Sequence, residues 1–286
     1  MLSGPGATHP AIEPLLREFA DVLQSEIPGG LPPQRFAADG SAIEHCIETA
    51  DGEKPYARNP TPFTTEEELE IRKYIEEFLD KGWIVPSLSP WAAPVLFILK
   101  KVDPVTVEKT WRMVISYVRL NGKTLYRIAY RLPRIAELQA RVSRAEIFSK
   151  MDLWSGFYQI RMRESDVEKT GLCTQFGNFH FKVMPMGLCG APSSFQYLMD
   201  DVLRTPLDVD GTPVPSWKFL AVYLDDISIF SSSIEEHVLH LREVLLRLRE
   251  RKLYVKPTKC AWAQTEIEFL GPFVSASYES QHGLAA

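Results

Sequence analysis

Two adjacent aspartates interrupt an apolar stretch, AVYLDDISIF, at residues 221–230. Two carboxylates about 5 Å apart repel each other by roughly 3 kcal/mol at an effective dielectric of about 20. Successive strand residues point to opposite faces, so one straight strand cannot aim Asp225 and Asp226 at one target. If residues 221–224 and 227–231 are two strands, the aspartates form a two-residue hairpin loop, where Asn-Gly or Asp-Gly is preferred.

Two interpretations of this aspartate pair stay open at this point. One is an ordinary surface turn, in which Asp is common. The other is a site for a hard divalent cation, which cancels the repulsion and prefers oxygen ligands. The metal interpretation needs a third carboxylate, and Asp152 ends the apolar segment IFSKMD. Three aspartates placed in this way can hold two Mg²⁺ ions about 4 Å apart, an arrangement that suits phosphoryl transfer.

The segments around these aspartates predict a mixture of strands and helices. TTEEELEIRKYIEEFLDKGWI is an amphipathic helix that Thr64 or Thr65 can cap. AAPVLFILKK and TWRMVISYV are predicted strands, and GLCTQFGNFHFKVM is a predicted hairpin with its turn at Gly177-Asn178. Further helices are predicted at residues 193–203 and in SIEEHVLHLREVLLRLRERK. Because strands and helices do not alternate regularly, the predicted fold class is α+β.

Composition and charge indicate which ligands and which cellular compartment suit the protein. The net charge of −5 hides an asymmetry, since residues 1–90 carry −9 and residues 100–163 carry +9. A basic stretch with interleaved aromatics is typical of a surface that contacts phosphates, although a solvated basic face is the alternative. The four cysteines show no C-x-x-C spacing, which predicts reduced thiols and no zinc site. Without a membrane-span run or a secretory signal, we expect an intracellular protein that is cytoplasmic or particle-associated.

A series of motifs connects these features in one order along the chain. They are SPWAAPVLFILKK, TWRMVISYVRLN, YRLPRI, FSKMDLWSGFYQIRM, VMPMGLCGAPSSFQYLMDDVL, YLDDISIFS, HLREVL and EIEFLG. From about Phe63 to Ser275 the chain closely resembles the reverse transcriptase domain of gypsy-type LTR retrotransposon polyproteins. The resemblance implies a right-hand polymerase fold with fingers and palm at residues 61–275 and no thumb. Residues 1–60 would be an N-terminal extension or linker, and residues 276–286 an unstructured tail.

The resemblance also implies a role for individual residues. The catalytic and metal-binding set would be Asp152, Asp225 and Asp226, with two Mg²⁺ ions and Mn²⁺ as the alternative ion. The implied nucleotide contacts are Lys100 and Arg112 to the triphosphate, Phe157 against a ribose 2′-hydroxyl, and Met186 and Gly187 lining the pocket. The implied primer grip is Phe269, Leu270 and Gly271, and Lys259 is a weaker candidate for protonating the leaving pyrophosphate. The implied partners are an RNA or DNA template with its primer and dNTPs, with no membrane, and the sequence leaves the oligomeric state open.

Three departures from the family keep alternative functions open. One is the segment LDVDGTPVPSWK, which lengthens the connection before the acidic hairpin and is predicted to be a surface loop. Ser116 and Val118 stand where the family motif has Asp and Arg, and Arg119 follows one position later. Only fifteen residues follow Gly271, so one alternative is a truncated, catalytically inactive fragment that only binds nucleic acid. A chain without a thumb would extend primers weakly and distributively. A second alternative is an RNA polymerase on the same palm, against which Phe157 argues.

His237 and His240, three residues apart, are expected on a packed or solvated helix face rather than at a metal.

Overall fold

The computed structural model describes residues 9–102, 109–125, 130–142, 145–203 and 218–275. The expected tail at 276–286 and all but Lys218 of the expected surface loop LDVDGTPVPSWK lie outside these residues. The helices are α1 (Glu13–Glu18), α2 (Thr65–Asp80), α3 (Val118–Asn121), α4 (Ile135–Val142), α5 (Ala191–Leu203) and α6 (Ile234–Glu250). The strands are β1 (Ile84–Pro86), β2 (Ala93–Val102), β3 (Lys109–Ile115), β4 (Ile147–Asp152), β5 (Leu172–Thr174), β6 (Gly177–Phe181), β7 (Leu220–Tyr223), β8 (Asp226–Ser231), β9 (Ala261–Gln264), β10 (Glu266–Glu268) and β11 (Phe273–Ser275). Short 3₁₀ helices occupy Gly156–Gln159, Glu164–Thr170 and Pro257–Lys259. This mixture confirms the α+β prediction.

The chain divides into two compact units. The first unit consists of Met1–Ile27, Tyr130–Gly156 and Phe195–Ala286, and the second of Pro28–Ala129 and Phe157–Ser194. The first unit is built on a sheet with the strand order β7-β8-β4-β9, and every neighbouring pair is antiparallel. Helix α6 packs on β8 and β4, and α4 packs on β7. The hairpin β10–β11 contributes Ile267, Phe269 and Val274 to the same hydrophobic cluster as Phe148 of β4 and Phe230 of β8.

The register of this sheet fixes the position of the acidic residues. Strands β4 and β8 pair from Ile147 opposite Ser231 to Asp152 opposite Asp226. All residues of β8 from Ile227 onward are buried, which explains the run of apolar residues after the aspartates. Both strands therefore place a carboxylate at the same end of the sheet.

The second unit contains a five-stranded sheet with the order β1-β6-β5-β2-β3. Helix α2 begins with the predicted capping box, in which the Thr64 side chain accepts from the Glu67 N–H and the Glu67 side chain accepts from the Thr64 N–H. The β5–β6 hairpin differs from the prediction, because Thr174 pairs with Gly177 and the turn is Gln175-Phe176. The Thr174 hydroxyl accepts from the Phe176 N–H at 3.1 Å and donates to the Gly177 carbonyl at 2.9 Å, which stabilises this earlier turn.

The segment expected to be a linker, residues 1–60, supplies buried side chains where the structure describes it. In the first unit, Phe19 is fully buried, the Arg249 guanidinium lies 4.0 Å from its ring centre, and Val255 donates its N–H to the Val22 carbonyl at 2.9 Å. In the second unit, Arg35 is nearly fully buried and donates to the Gln159 carbonyl. The described part of this segment therefore belongs to the folded units. Among the described residues, each helix is too short or too polar to span a membrane.

Candidate active site

The acidic hairpin turns one residue earlier than the sequence predicted. Tyr223 pairs with Asp226, so the two-residue turn is Leu224-Asp225, and Asp226 is the first residue of β8. The prediction that Asp225 and Asp226 together form the turn is therefore wrong. The shift places Asp226 opposite Asp152 in the ladder and leaves Asp225 at the exposed tip of the hairpin.

Leu224 adopts a left-handed backbone conformation that tertiary contacts stabilise. Its φ is +54°, a region that costs a non-glycine residue roughly 1–2 kcal/mol. The Leu224 N–H donates to Oε1 of Gln196 at 2.8 Å, and Gln196 is 1% exposed on helix α5. The Gln196 amide donates in turn to Oδ1 of Asp200 at 3.1 Å. Sequence reasoning missed Gln196, although a buried glutamine on an apolar helix face is a signal that such a side chain has a specific partner.

The three predicted carboxylates lie together in the first unit and affect one another. Asp225 is exposed, but neighbouring protein atoms exclude part of the water around its carboxyl and this desolvation raises its pKa. The negative charges of Asp152 and Asp226 raise that pKa further. The positive charge of Lys259 opposes this rise in the pKa. The part of this shift that comes from Asp152 and Asp226 reflects repulsion among the three carboxylates, which a cation bound between them would reduce.

Two lysines contact the carboxylates of this site. Lys150 Nζ lies 2.9 Å from Asp226 Oδ1. Lys259 Nζ lies 3.0 Å from Asp152 Oδ2 and 3.2 Å from Asp152 Oδ1. Sequence reasoning missed Lys150, although it lies two residues before Asp152 and therefore on the same face of the strand.

The predicted primer grip forms the turn of the β10–β11 hairpin in the first unit. Leu270 and Gly271 both have positive φ, +54° and +112°, and Gln139 Nε2 lies 3.3 Å from the Leu270 carbonyl oxygen. The Phe269 side chain is fully buried in the hydrophobic cluster. Its ring therefore anchors the turn, and the surface that can meet a ligand is formed by half-buried Leu270 and exposed Gly271.

The predicted nucleotide contacts all lie in the second unit. Arg112 is exposed on β3 opposite Ile98, and Lys100 lies in β2 at a β-bulge between Leu99 and Lys101. Phe157 is half-buried in the 3₁₀ helix Gly156–Gln159, whereas Tyr158 is buried. A bulge changes the direction of a strand locally and is often found next to functional sites.

Met186 and Gly187 lie in a loop that Asn121 holds. Met186 is half-buried and Gly187 is exposed with a φ of +99°. Asn121 Nδ2 donates to the Gly187 carbonyl at 2.8 Å, and Asn121 Oδ1 accepts from the Cys189 N–H at 3.0 Å. Both polar atoms of the Asn121 carboxamide thus fix the loop, a role that sequence reasoning missed.

We expect Gly187→Ala to lower the free energy of unfolding by about 1–3 kcal/mol. A Cβ at this position would lie 2.9 Å from the Ile115 carbonyl oxygen, and the positive φ disfavours any other residue. Urea unfolding followed by circular dichroism measures the change. Gly29→Ala is the matched control, because a Cβ at position 29 has no heavy atom within 4 Å. Equal stability of Gly187→Ala and wild type would contradict the close approach of the two backbone segments.

His237 and His240 lie on helix α6 and contact serines, which agrees with a packed helix face. His237 is fully buried, with Nε2 2.7 Å from Ser149 Oγ and Nδ1 2.8 Å from Ser231 Oγ. His240 Nδ1 lies 2.8 Å from the same Ser231 Oγ, and its ring stacks on Phe219 with centres 4.0 Å apart. His237 therefore connects β4, which ends at Asp152, to β8, which begins at Asp226.

Burial makes the stability of the fold depend on pH through two histidines. It lowers the pKa of His237 to about 3 and that of His45 to about 4. In the unfolded chain both take up protons below about pH 6.5, whereas the folded chain does not, so stability falls as the pH falls from 6.5. Between pH 7.5 and pH 5.0 we expect His237 alone to account for a loss of about 2 kcal/mol. Urea unfolding at the two pH values should show a smaller loss for His237→Gln than for wild type, and equal losses would contradict the buried neutral histidine.

The three aspartates lie within a region that matches a known protein family. A family model described as "Reverse transcriptase (RNA-dependent DNA polymerase)" matches residues 98–273, a range that includes all three aspartates. That match covers more than half of the chain. The chain belongs to the reverse transcriptase family.

Relatives of this reverse transcriptase domain are polyproteins of transposable elements. The Retrovirus-related Pol polyprotein from transposon opus of Drosophila melanogaster is 35% identical over 272 residues, which are 95% of this chain and 25% of the relative. That from transposon gypsy of the same organism is 33% identical over 235 residues, 82% of this chain and 22% of the relative. The chain thus spans about a quarter of the length of these curated relatives.

A similar fold occurs in a solved reverse transcriptase. The structure of the foamy viral protease-reverse transcriptase in complex with RNA/DNA hybrid matches with a TM-score of 0.75 and 19% identity. The match covers 96% of this chain and 34% of that chain. This likeness confirms the predicted fold class of fingers and palm.

Reverse transcriptases generally use divalent metal ions, and the aspartates of this domain fit that requirement by their chemistry. Three carboxylates offer the hard oxygen ligands that Mg²⁺ and Mn²⁺ prefer. In the described parts of the chain, no group of three His, Cys, Asp or Glu side chains has the arrangement of a formed metal site. Instead, Asp226 contacts the ammonium group of Lys150, and Asp152 contacts that of Lys259. These positive charges lie beside the same carboxylates that would stabilise a metal ion.

The departures of this domain from the family motif lie in the second unit. Ser116 is half-buried, and its N–H donates to the Pro94 carbonyl at 2.9 Å. Val118 is 76% exposed at the start of α3. The Arg119 guanidinium lies 5.8 Å from the centre of the Tyr56 ring, so its position is tied to the segment before α2.

Proposed function

We propose that this domain is a templated DNA polymerase that adds dNTPs to a primer 3′-hydroxyl on an RNA or DNA template. One observation carries the proposal: the pairing of β4 with β8 brings Asp152 and Asp226 side by side, with Asp225 in the adjoining turn. A fold has no structural need for three carboxylates in one place, because their repulsion is unfavourable. The family membership supplies a reaction in which such a set has a use.

In this proposal Asp152, Asp225 and Asp226 hold two Mg²⁺ ions. When bound, the ions supply positive charge that activates the primer hydroxyl and stabilises the leaving pyrophosphate. The chain supports the carboxylates through its own contacts, since Gln196 fixes the Leu224 N–H and His237 joins the two aspartate-bearing strands. Preorganised charges of this kind contribute most of the catalysis in phosphoryl transfer.

The second unit would provide the contacts to the incoming nucleotide. We assign Lys100 and Arg112 to the triphosphate, Phe157 to the ribose, and Met186 and Gly187 to the pocket lining. Arg112 is exposed and Phe157 is half-buried, so both have surface available to a ligand. An exposed arginine suits phosphate because its planar group donates several hydrogen bonds at once.

The primer 3′ end would be held by the β10–β11 turn. Phe269 fixes this turn from within the core, and Leu270 and Gly271 present its outer surface. Lys150 Nζ also lies 3.4 Å from the Glu268 carbonyl oxygen, so one lysine contacts both Asp226 and the strand that leads into the turn. The proposed primer grip and metal site are thus joined within the first unit.

The test is primer extension by the purified chain on RNA and DNA templates with the four dNTPs. We expect products on both templates with Mg²⁺ or Mn²⁺ and none after addition of a chelator. Binding of primer-template without any extension would instead support the fragment that only binds nucleic acid. Incorporation of rNTPs at the rate of dNTPs would support an RNA polymerase.

A further inference from the structure

Two positive charges are built into the aspartate site by the fold itself. Lys150 lies on β4, two residues before Asp152, and its ammonium group contacts Asp226 at 2.9 Å. The same ammonium group lies 3.4 Å from the Glu268 carbonyl oxygen. Because a carboxylate and a carbonyl both accept from it, Lys150 has a defined position without any added ion.

The position of Lys259 is set by the backbone next to Asp152. The Lys256 N–H donates to the Asp152 carbonyl at 2.9 Å, and the Lys259 N–H donates to the Lys256 carbonyl at 3.0 Å. This 3₁₀ turn brings the Lys259 ammonium group to both carboxylate oxygens of Asp152. The contact follows from the local chain path, so it forms whenever β4 and this turn are folded.

We propose that Lys150 and Lys259 are resident counter-ions that compete with divalent cations for Asp226 and Asp152. The inference rests on the proposed metal role of the aspartates. Mg²⁺ binds oxygen at about 2.0–2.1 Å and needs the lone pairs that the ammonium groups now use. An ion that binds there must displace the nearby ammonium group or bind against its repulsion, and either effect weakens ion binding. Without ions, the ammonium groups offset part of the repulsion among the carboxylates.

The experiment measures Mn²⁺ and Mg²⁺ binding by isothermal titration calorimetry, without nucleotide or nucleic acid. We expect Lys150→Met and Lys259→Met each to lower the apparent Kd by roughly fivefold, the scale of one partly exposed ion pair. Lys150→Arg keeps the charge and should bind no more tightly than wild type. Lys73→Met removes a surface ion pair with Glu70, 3.1 Å long, and should leave the Kd unchanged.

A second readout separates competition from damage to the fold. Without metal, Lys150→Met should melt at a lower temperature than wild type, because Asp226 loses its counter-ion next to two other carboxylates. With saturating Mn²⁺ the difference should shrink, since the ion replaces the lost charge. If Lys150→Met does not fold, Lys259→Met decides the question, because that side chain is 56% exposed and its removal costs little packing.

The outcomes distinguish this inference from the proposed function. If wild type binds Mn²⁺ and both methionine variants bind it with the same Kd, the counter-ion inference is overturned and the metal site stands. If neither wild type nor the methionine variants bind ions up to the millimolar range, the metal site itself fails. Tighter binding by the methionine variants, abolished when Asp226→Asn is added, supports both.

Discussion

Replacing Asp225 by asparagine should reduce the kcat of Mg²⁺-dependent primer extension by on the order of 10³-fold while leaving the fold intact. The side chain lies at the exposed tip of the hairpin, and asparagine has nearly the same size, so packing does not change. The variant loses a negative charge that desolvation and two neighbouring carboxylates disfavour, the two effects that raise the pKa of Asp225. Its metal-free form should therefore melt at an equal or higher temperature than wild type.

The measurement pairs single-turnover primer extension with a thermal melt of the same preparation. Asp39→Asn is the matched control, since Asp39 is an exposed turn aspartate whose carboxylate accepts hydrogen bonds from Ser41. It should extend primers at the parental rate. If Asp225→Asn also extends primers at that rate, Asp225 is no part of the catalytic set. Loss of activity together with a lower melting temperature would indicate a structural role instead.

The proximity of the three aspartates could be predicted from the sequence because each signal is local. An apolar strand that ends in a carboxylate, and an apolar hairpin with carboxylates at its turn, are patterns within a few residues. The capping box at Thr64 and the packed face of α6 were predictable for the same reason. These features depend on periodicity and on single side chains next to their partners along the chain.

The position of the turn was not predictable, because a distant residue stabilises it. Local propensity places Asp rather than Leu at a turn, and it disfavours Leu at positive φ. Gln196 of helix α5 lies 28 residues before Leu224 and accepts a hydrogen bond from the Leu224 N–H. That long-range bond selects Leu224-Asp225 as the turn and so moves Asp226 into the strand.

The packing of residues 1–60 was also not predictable from local sequence, because it depends on residues far along the chain. Their Pro and Gly content is typical of a linker. Their buried residues find partners far along the chain, as when Val22 accepts from Val255 and Ile47 donates to Asp166. Contacts of this separation leave no periodic pattern in the segment itself. Lys150 was missed for a related reason, since a lysine in a strand is usually a solvated residue and its partner Asp226 belongs to another strand.

Phe157→Val should lower the preference for dNTPs over rNTPs by roughly 10- to 100-fold, the range that a change in pocket volume produces. Phe157 follows Gly156, at which a Cβ would lie 2.8 Å from the Phe195 ring, so the backbone entering this 3₁₀ helix is closely packed. The Phe157 ring is half-buried, while Tyr158 and Ile160 beyond it are buried. Valine shortens the side chain and leaves room for a 2′-hydroxyl.

The quantity that decides this prediction is the ratio of kcat/KM for dNTP to kcat/KM for rNTP, measured on one primer-template. Phe157→Tyr keeps the ring and should keep the wild-type ratio, whereas Phe157→Val should accept rNTPs with little change in kcat for dNTPs. A loss of both activities would point to packing, because a core aromatic supports either substrate equally. An unchanged ratio in Phe157→Val would show that Phe157 does not line the nucleotide pocket. A lower ratio would favour a DNA polymerase over an RNA polymerase, because the wild-type side chain would then be what discriminates against the 2′-hydroxyl.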